Sequence, residues 1–168
     1  MHRLRMRVPP LVLLFILLHL LPASAATGAS GLPIPRFVSL RATEANMRAG
    51  PGEQYPIART YRRQGLPLEV TAEYDHWRRV RDWQGAEGWM HSSMLSGKRS
   101  IIVTGEVRPL RADPDPGSGI LARIEDKVIG RLLSCVKGGD WCQVQVAGVK
   151  GWLLRGEMWG VYNGEKYD

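Results

Sequence analysis

The sequence predicts an all-β protein in which two small β-barrels follow one another behind an N-terminal export signal. Three features lead to this prediction: frequent turn residues, the order of segments at the N-terminus, and an internal repeat. The chain of 168 residues contains 19 glycines and 11 prolines. Because these residues interrupt regular structure, their frequency between short apolar runs is typical of an all-β fold. The hydrophobic content of 44% suits a globular protein.

The first 25 residues have the three parts of a secretory signal. Arg3, Arg5 and Arg7 form a basic start, residues 8–21 form an apolar run, and Ala-Ser-Ala at 23–25 supplies the cleavage pattern. The apolar run is shorter than the ~20 residues that a membrane-spanning helix needs. We therefore expect cleavage at residue 25 rather than a retained anchor. We also expect no stable membrane span after cleavage and a periplasmic or secreted mature protein.

The charge is spread evenly along the mature chain. The formal net charge of the whole chain is +7, and removal of the three signal-peptide arginines leaves 23 − 3 = 20 basic against 16 acidic residues. Residues 37–97 and 100–160 each contain 8 basic and 7 acidic side chains. Since a nucleic-acid-binding protein usually has one dense basic face, we expect no nucleic-acid partner.

Short segments recur at an interval of about 63 residues, which indicates an internal duplication. Four matched segments occur in the same order: 48–49 with 111–112, 77–80 with 141–144, 88–90 with 151–153, and 93–97 with 156–160. The sequence therefore predicts a signal peptide (1–25), two domains (37–97 and 100–160) and a C-terminal tail (161–168). Because a barrel of about 60 residues buries only a small core, we expect the two domains to pack together.

Each repeat is predicted to consist of short strands separated by turns. In repeat one, Gly-Pro-Gly at 50–52 requires a loop over residues 49–56, and residues 92–95 are predicted to form one helical turn. The predicted strands of repeat one are 37–43, 45–48, 66–74, 77–82 and 87–91. Those of repeat two are 101–107, 110–112, 131–136, 141–146 and 150–154, with a loop at 113–119.

The pattern of repeat one resembles the bacterial SH3-like domain family of secreted and envelope proteins. The motifs that carry the resemblance lie at 46–52 (Asn-Met-Arg-Ala-Gly-Pro-Gly), 55–57, 65, 68–70, 77–80, 88–90 and 94–95. Repeat two keeps the motifs at 110–111, 141, 144, 151–153 and 158–159, but has Asp-Pro-Asp-Pro-Gly at 113–117 in place of the first signature. The resemblance implies two small closed barrels of five or six strands each, of a kind that commonly binds cell-wall peptides, glycans or proteins.

Aromatic side chains are the candidate ligand contacts. Tyr55, Tyr61 and Tyr74 are expected to form one side of a groove in repeat one, since an aromatic-lined groove holds extended peptides in eukaryotic SH3 domains. The other candidates are Trp77, Trp89 and Arg48 in repeat one, and Trp141, Trp152 and Trp159 in repeat two. The recurring tryptophans fit core positions at least as well as ligand contacts, and truncation of a buried Trp89 would cost ~3–5 kcal/mol. Arg48, which is matched by Arg111, is equally suited to bracing a loop.

Catalytic and metal-binding patterns are weak in this sequence. His76 and His91 have no ligand partner at a suitable spacing. Asp113 and Asp115 stand at calcium-loop spacing, but the alternating prolines favour a plain turn. We therefore expect no enzymatic activity, no cofactor and no metal. The predicted function is a non-catalytic module that recognises peptidoglycan, through its stem peptide, or another envelope component. The alternative is a periplasmic adaptor that binds a protein partner.

Cys135 and Cys142 are predicted to form a disulfide across a β-hairpin whose turn spans residues 137–140. Glycines in this turn can adopt positive φ, and directly opposed strand residues bring their Cβ atoms close enough for a disulfide. The predicted register also pairs Leu133 with Val144. In repeat one, the same register places Ala72 opposite Arg78.

Overall fold

A computed structural model describes residues 26–168, so the predicted signal peptide lies outside the described residues. The described chain forms two seven-stranded antiparallel sheets, one for each repeat, after a short two-stranded ribbon. The ribbon consists of β1 (Ala26–Thr27) and β2 (Pro33–Ile34). The prediction of an all-β fold with two tandem small barrels is confirmed.

Repeat one contains strands β3 to β9 and one 3₁₀ turn. The strands are β3 (Arg36–Leu40), β4 (Ala45–Arg48), β5 (Ile57–Tyr61), β6 (Pro67–Tyr74), β7 (Trp77–Arg81), β8 (Glu87–His91) and β9 (Leu95–Ser96). The 3₁₀ turn Ser92–Met94 stands where one helical turn was predicted. The order of strands in the sheet is β5-β4-β8-β7-β6-β3-β9. The prediction missed β5 and extended β3 beyond its end at Leu40.

Repeat two has the same topology. Its strands are β10 (Ser100–Val103), β11 (Arg108–Arg111), β12 (Ile120–Ile124), β13 (Ile129–Cys135), β14 (Trp141–Val146), β15 (Val149–Leu154) and β16 (Met158–Trp159). A 3₁₀ turn Arg155–Glu157 precedes the last strand. The sheet order β12-β11-β15-β14-β13-β10-β16 repeats that of the first sheet strand by strand. The prediction missed β12, the counterpart of β5.

The two glycines of the recurring Gly-Trp pairs allow strands to cross at close range. A Cβ added at Gly88 would lie 2.6 Å from Met47 Cγ and 2.7 Å from the Arg48 carbonyl oxygen. The equivalent Cβ at Gly151 would lie 2.6 Å from Leu110 Cγ. Because a side chain at either position would overlap the neighbouring strand, glycine is required in both repeats for the same steric reason.

The repeats pack against each other, as expected. The Phe37 and Trp159 rings meet edge to face with their centroids 4.8 Å apart, and the Tyr162 ring lies 4.6 Å from the same phenylalanine. Ile102 of repeat two is fully buried in the core cluster of repeat one. The Tyr162 hydroxyl donates to a buried carboxylate, that of Glu69, at 2.9 Å. The junction is therefore an apolar contact closed by a partly buried hydrogen bond.

The predicted disulfide between Cys135 and Cys142 is present, with the two Cα atoms 4.3 Å apart. The register next to it differs from the prediction. A bulge between Leu132 and Ser134 pairs Leu132, rather than Leu133, with Val144. The extra residue in a bulge moves every later pair by one position, and period-two patterning does not reveal it.

A second pairing, in the corresponding hairpin of repeat one, also differs from the prediction. The register also shifts between Val70 and Ala72, but the turn sets the pairing nearest to it: Tyr74 pairs with Trp77, so Glu73 rather than Ala72 lies opposite Arg78. The pair equivalent to the disulfide is therefore an ion pair, with Arg78 Nε 3.2 Å from Glu73 Oε1. Only 1% of the Glu73 side chain is exposed.

The N-terminal segment covers Glu73. The Ser30 amide and hydroxyl donate to its carboxylate at 2.7 and 2.8 Å, and Arg36 Nη2 donates at 2.6 Å. Burial raises the pKa of Glu73, but the hydrogen bonds from Ser30 and the Arg36 guanidinium lower it more, to about 2. Glu73 is therefore ionised at neutral pH and ties the N-terminal segment to the β6–β7 hairpin.

Candidate functional site

A cleft of about 310 Å³ opens on repeat one between the start of β4 and the end of β8. We call it the repeat-one cleft. It is lined by polar groups around an indole and a thioether side chain: Glu44, Ala45, Asn46, Arg48, Glu53, Trp77, His91 and Met94. Strands β4, β7 and β8 position most of these residues, and the loop after β4 brings Glu53 over one side.

Carboxylates and aromatic rings define the chemistry of the repeat-one cleft. The Trp77 and His91 rings meet edge to face with centroids 5.5 Å apart. His91 Nδ1 lies 2.7 Å from Ser93 Oγ, which fixes the orientation of the imidazole. Glu44 accepts from Arg62 at the exposed rim at 2.8 Å, and Glu53 is exposed. Such a cleft offers acceptors to a cationic group and an aromatic surface to an aliphatic chain.

Arg48 braces the loop after β4, as one reading of the sequence proposed. Its Nη1 donates to the carbonyl oxygens of Glu53 at 3.0 Å and Tyr55 at 2.8 Å. In repeat two, Arg111 Nη1 donates to the Ser118 carbonyl at 2.8 Å. The recurrence of this arginine therefore has a structural cause, although Arg48 also lines the cleft.

The three candidate tyrosines do not line the repeat-one cleft. Tyr61 is a core residue, only 6% exposed, and its hydroxyl donates to Asp82 at 2.9 Å. Burial and this hydrogen bond raise the pKa of Tyr61 above its usual range. Tyr55 packs its ring over Gly50 within the loop, and Tyr74 is 62% exposed at the end of the β6–β7 hairpin. Tyr61 is expected in a groove from the sequence, whereas the structure places it in the core on β5, a strand that the sequence did not predict.

The recurring tryptophans lie outside the fully buried core. Trp77, Trp89, Trp141 and Trp152 are all half-buried. On β8, Gly88 and Met90 face the core, so Trp89 between them faces outward. Trp89 is therefore half-buried rather than buried as expected, and the cost of its truncation stays a prediction. Of these four residues, Trp77 alone lines the repeat-one cleft.

Repeat two has a cleft at the equivalent place, but its lining differs. Ala45, His91 and Met94 of repeat one correspond to Arg108, Leu154 and Glu157, and all three line a cleft of about 490 Å³. The Gly138–Gly139 turn and the tail residues Asn163 and Gly164 form its other walls. The candidates Trp141 and Trp152 do not line it, and Trp159 is an interface residue that packs on Phe37.

Residues 113–117 form a plain turn, as predicted. The Gly117 amide donates to Asp115 Oδ1 at 2.6 Å, and the Ser118 hydroxyl donates to Asp113 Oδ2 at 3.3 Å. Within residues 26–168, no group of three or more His, Cys, Asp or Glu side chains is placed to hold a metal ion. In the same residues, no helix is long and apolar enough to cross a membrane.

The missed cleft residues carry a weak sequence signal. Glu44, Glu53, His91 and Met94 lie beside recurring positions but do not themselves recur in repeat two. A search for conserved repeats selects the residues that both barrels need for folding. Positions that differ between two otherwise matched segments would have identified the cleft better.

These observations define a class of protein: two SH3-type barrels in tandem, joined through an apolar interface. The family described as bacterial SH3 domain matches residues 41–97 and 105–160. The chain belongs to the bacterial SH3 domain family. No curated protein sequence matches it.

Three solved structures resemble the chain at low similarity. They are NlpC2 and NlpC1 from Trichomonas vaginalis, with 10% and 8% identity and TM-scores of 0.34 and 0.35. The third is an NlpC/P60 family protein from Bacillus cereus, with 14% identity and a TM-score of 0.33. The matches cover 77%, 80% and 73% of this chain, and 48%, 49% and 55% of the solved chains. This chain therefore spans about half the length of those proteins.

Proposed function

We propose that this protein is an exported, non-catalytic binding protein of the bacterial cell envelope, and that the repeat-one cleft holds a peptide of the cell wall. The observation that carries the proposal is the cleft itself, in which Glu44, Glu53, Trp77 and His91 converge. A peptidoglycan stem peptide presents charged amino groups on short aliphatic chains. The carboxylates at the rim can pair with the amino groups, and the Trp77 indole and the Met94 thioether can pack against the aliphatic chains.

The disulfide supports export. Disulfides persist in oxidising compartments and are rare in the cytosol, so a bonded Cys135–Cys142 pair suits the periplasm or the exterior. Expression of the full chain, followed by cell fractionation and N-terminal sequencing, tests this. We expect a periplasmic or secreted protein that begins at Ala26. A chain recovered with an intact N-terminus in the cytoplasm would contradict export.

The binding proposal is tested with purified sacculi. We expect the mature protein to be retained at low salt, and the double variant Glu44→Gln, Glu53→Gln to bind about tenfold more weakly, because two charge-assisted contacts are lost. The matched control is Glu106→Gln, Glu125→Gln. It removes two exposed carboxylates from repeat two, one of which is also paired with an arginine.

Two results would refute the binding proposal. One is retention of the wild-type protein no greater than that of a denatured control. The other is an equal loss of sacculus binding in both double variants, since a general effect of surface charge would then explain the result. Loss of binding in the first variant alone assigns the ligand to the repeat-one cleft.

An adaptor for a protein partner is the second candidate, and exposed apolar residues on edge strands favour it. Ile57 lies on β5 and is 50% exposed, while Ile120 and Leu121 on β12 are 47% and 51% exposed. Both strands end their sheets, so another chain could pair there. Crosslinking in cells followed by mass spectrometry separates the two functions. A single stoichiometric protein partner, together with no sacculus binding, would favour the adaptor.

A further inference from the structure

Two clefts meet at the junction between the repeats, and none of their lining residues lines the repeat-one cleft. Their volumes are about 490 and 240 Å³, and they share Ser39, Gly65 and Lys98 as lining residues. We call this region the junction groove and define it by Ser39, Arg41, Lys98, Arg99, Ser100 and Arg131. Repeat one, repeat two and the two-residue linker all contribute to it, so the groove exists only when the barrels are packed together.

Cations line the junction groove without a carboxylate among the lining residues. Arg41, Lys98 and Arg131 are exposed and form no salt bridge with any residue between 26 and 168. The fourth cation, Arg99, is paired with Glu165 at 2.7 Å. Three positive charges in one groove therefore lack a partner in the described chain.

The other clefts of the molecule differ in charge. The repeat-one cleft contains Glu44 and Glu53, and the equivalent cleft of repeat two contains Asp140 and Glu157. A groove beside the N-terminal segment contains Arg36 and Arg78, which share the single carboxylate of Glu73, so one positive charge there stays unbalanced. Among these sites, the junction groove therefore has the largest unbalanced positive charge.

Two buried hydroxyl groups add hydrogen-bond donors to the groove. Ser39 is 6% exposed and Ser100 is 7% exposed, and both line it. The Ser100 hydroxyl and Arg99 Nε are buried and have no hydrogen-bond partner within the described residues. A buried polar atom without a partner is uncommon in a folded protein, and a hydroxyl or guanidinium N–H in this state can donate to a ligand.

We propose that the junction groove is an oxyanion-binding site, which takes a phosphate or carboxylate group. Three unpaired cations attract the anion, and the serine hydroxyls donate hydrogen bonds to its oxygens. No carboxylate of the described residues lines the junction groove. An anion there would therefore not meet the repulsion that carboxylates cause in the repeat-one cleft and in the equivalent cleft of repeat two. The site shares no lining residue with the repeat-one cleft and is suited to ligands of the opposite charge. Experiments can therefore refute anion binding here without refuting the proposed function, and the reverse.

The test uses the mature chain and NMR titration of backbone amides. Inorganic phosphate is added against sodium chloride at matched ionic strength, and polyphosphate is the second probe. We expect shifts confined to the amides of Ser39, Lys98, Ser100 and Arg131 and their neighbours. Shifts with both probes identify a site for free phosphate, and shifts with polyphosphate alone identify a site for phosphate carried on a polymer.

Two triple variants separate the site from general attraction. The variant Arg41→Gln, Lys98→Gln, Arg131→Gln is expected to raise the dissociation constant at least about tenfold. The control Arg123→Gln, Lys137→Gln, Lys150→Gln loses the same charge from exposed positions of repeat two and is expected to bind as wild type. Ser100→Ala is expected to weaken binding about tenfold without lowering Tm, because its hydroxyl has no protein partner in the described chain.

The proposal is overturned by any of three results. The first is an absence of shifts with both probes, and the second is a set of shifts spread over the whole surface. The third is equal weakening of the two triple variants, which would show attraction by net charge alone.

Discussion

The β6–β7 hairpin of repeat one and the β13–β14 hairpin of repeat two link their two strands by different interactions. At the same position, repeat one has the ion pair Glu73–Arg78 and repeat two has the disulfide Cys135–Cys142. Each hairpin also holds a chain terminus at that point. Glu73 binds the N-terminal segment, and Cys135 exchanges backbone hydrogen bonds with Tyr167 of the tail.

A second pair of positions shows the same contrast. In repeat one, the buried Tyr61 donates to the buried Asp82. The equivalent residues of repeat two are Ile124 and Val146, and both are buried in its apolar core. One topology is therefore stabilised by buried charges and hydrogen bonds in repeat one, and by apolar packing and a covalent bond in repeat two. It follows that acid should lower the stability of the first repeat, and that a reductant should lower the stability of the second.

The largest effect is expected from Glu73→Gln, which leaves Arg36 and Arg78 without a charged partner. The pKa of Glu73 falls from 4.5 to about 2 on folding, which corresponds to ~3 kcal/mol at ~1.4 kcal/mol per unit. Because the pKa is lowered, this stabilisation is present above pH 4.5 and is lost as the pH falls to about 2. Urea denaturation should therefore show that the variant has a free energy of unfolding ~3 kcal/mol below that of the wild type at pH 7. This difference should become smaller in acid.

The exposed Glu125 provides the control for this experiment. Glu125→Gln should change the free energy of unfolding by less than ~0.5 kcal/mol at either pH. If the deficit of Glu73→Gln were the same at pH 7 and pH 2, the ionised carboxylate would not be its cause.

A smaller loss is expected when the disulfide is removed. The double variant Cys135→Ser, Cys142→Ser should lower the free energy of unfolding by ~2 kcal/mol, because the closed loop is short. Dithiothreitol should lower the stability of the wild-type protein to that of the variant and leave the variant unchanged. Thiol titration of the exported, denatured protein supplies an independent check. Two reactive thiols without reductant would refute the bond.

The smallest of the three effects is expected from Tyr61→Phe, which removes one hydrogen bond from Asp82. Asp82 keeps its bonds to Arg59 and to the amides of Gln84 and Ala86, so the cost should be ~1 kcal/mol. The matched change in repeat two, Ile124→Val, removes one methylene from the apolar core and should cost a similar ~1 kcal/mol. Thermal denaturation measures both. An unchanged Tm for Tyr61→Phe would show that the buried polar pair does not stabilise repeat one.

Sequence reasoning identified the duplication and the disulfide partners because both depend on residues that recur or pair at short range. It missed β5 and β12, whose exposed residues do not alternate between apolar and polar side chains. It also missed the bulges in β6 and β13, since an extra unpaired residue has no compositional signal. The mistaken partner of Arg78 has a different cause: four residues separate Glu73 from Arg78, whereas six separate Cys135 from Cys142, so the turn of repeat one is two residues shorter.

The candidate site was predicted less well than the fold, for a physical reason. Aromatic residues were selected as ligand contacts, but Tyr61 and Trp159 are used for the core and the interface. Of the candidates in repeat one, Arg48 and Trp77 do line the repeat-one cleft. The cleft also depends on Glu53, which reaches it through the path of a loop. Such a path is set by tertiary contacts rather than by local sequence.

The position of Ile102 has a consequence for the history and the engineering of this chain. A duplicated module can be excised, permuted or recombined when its hydrophobic interior is made entirely from its own residues. Here a residue that follows the repeat boundary fills the interior of the preceding barrel. A cut between Gly97 and Lys98 would therefore open a void in one half and uncover an isoleucine in the other. We therefore expect the pair, rather than a single sequence repeat, to be the unit that folds and can be transplanted intact.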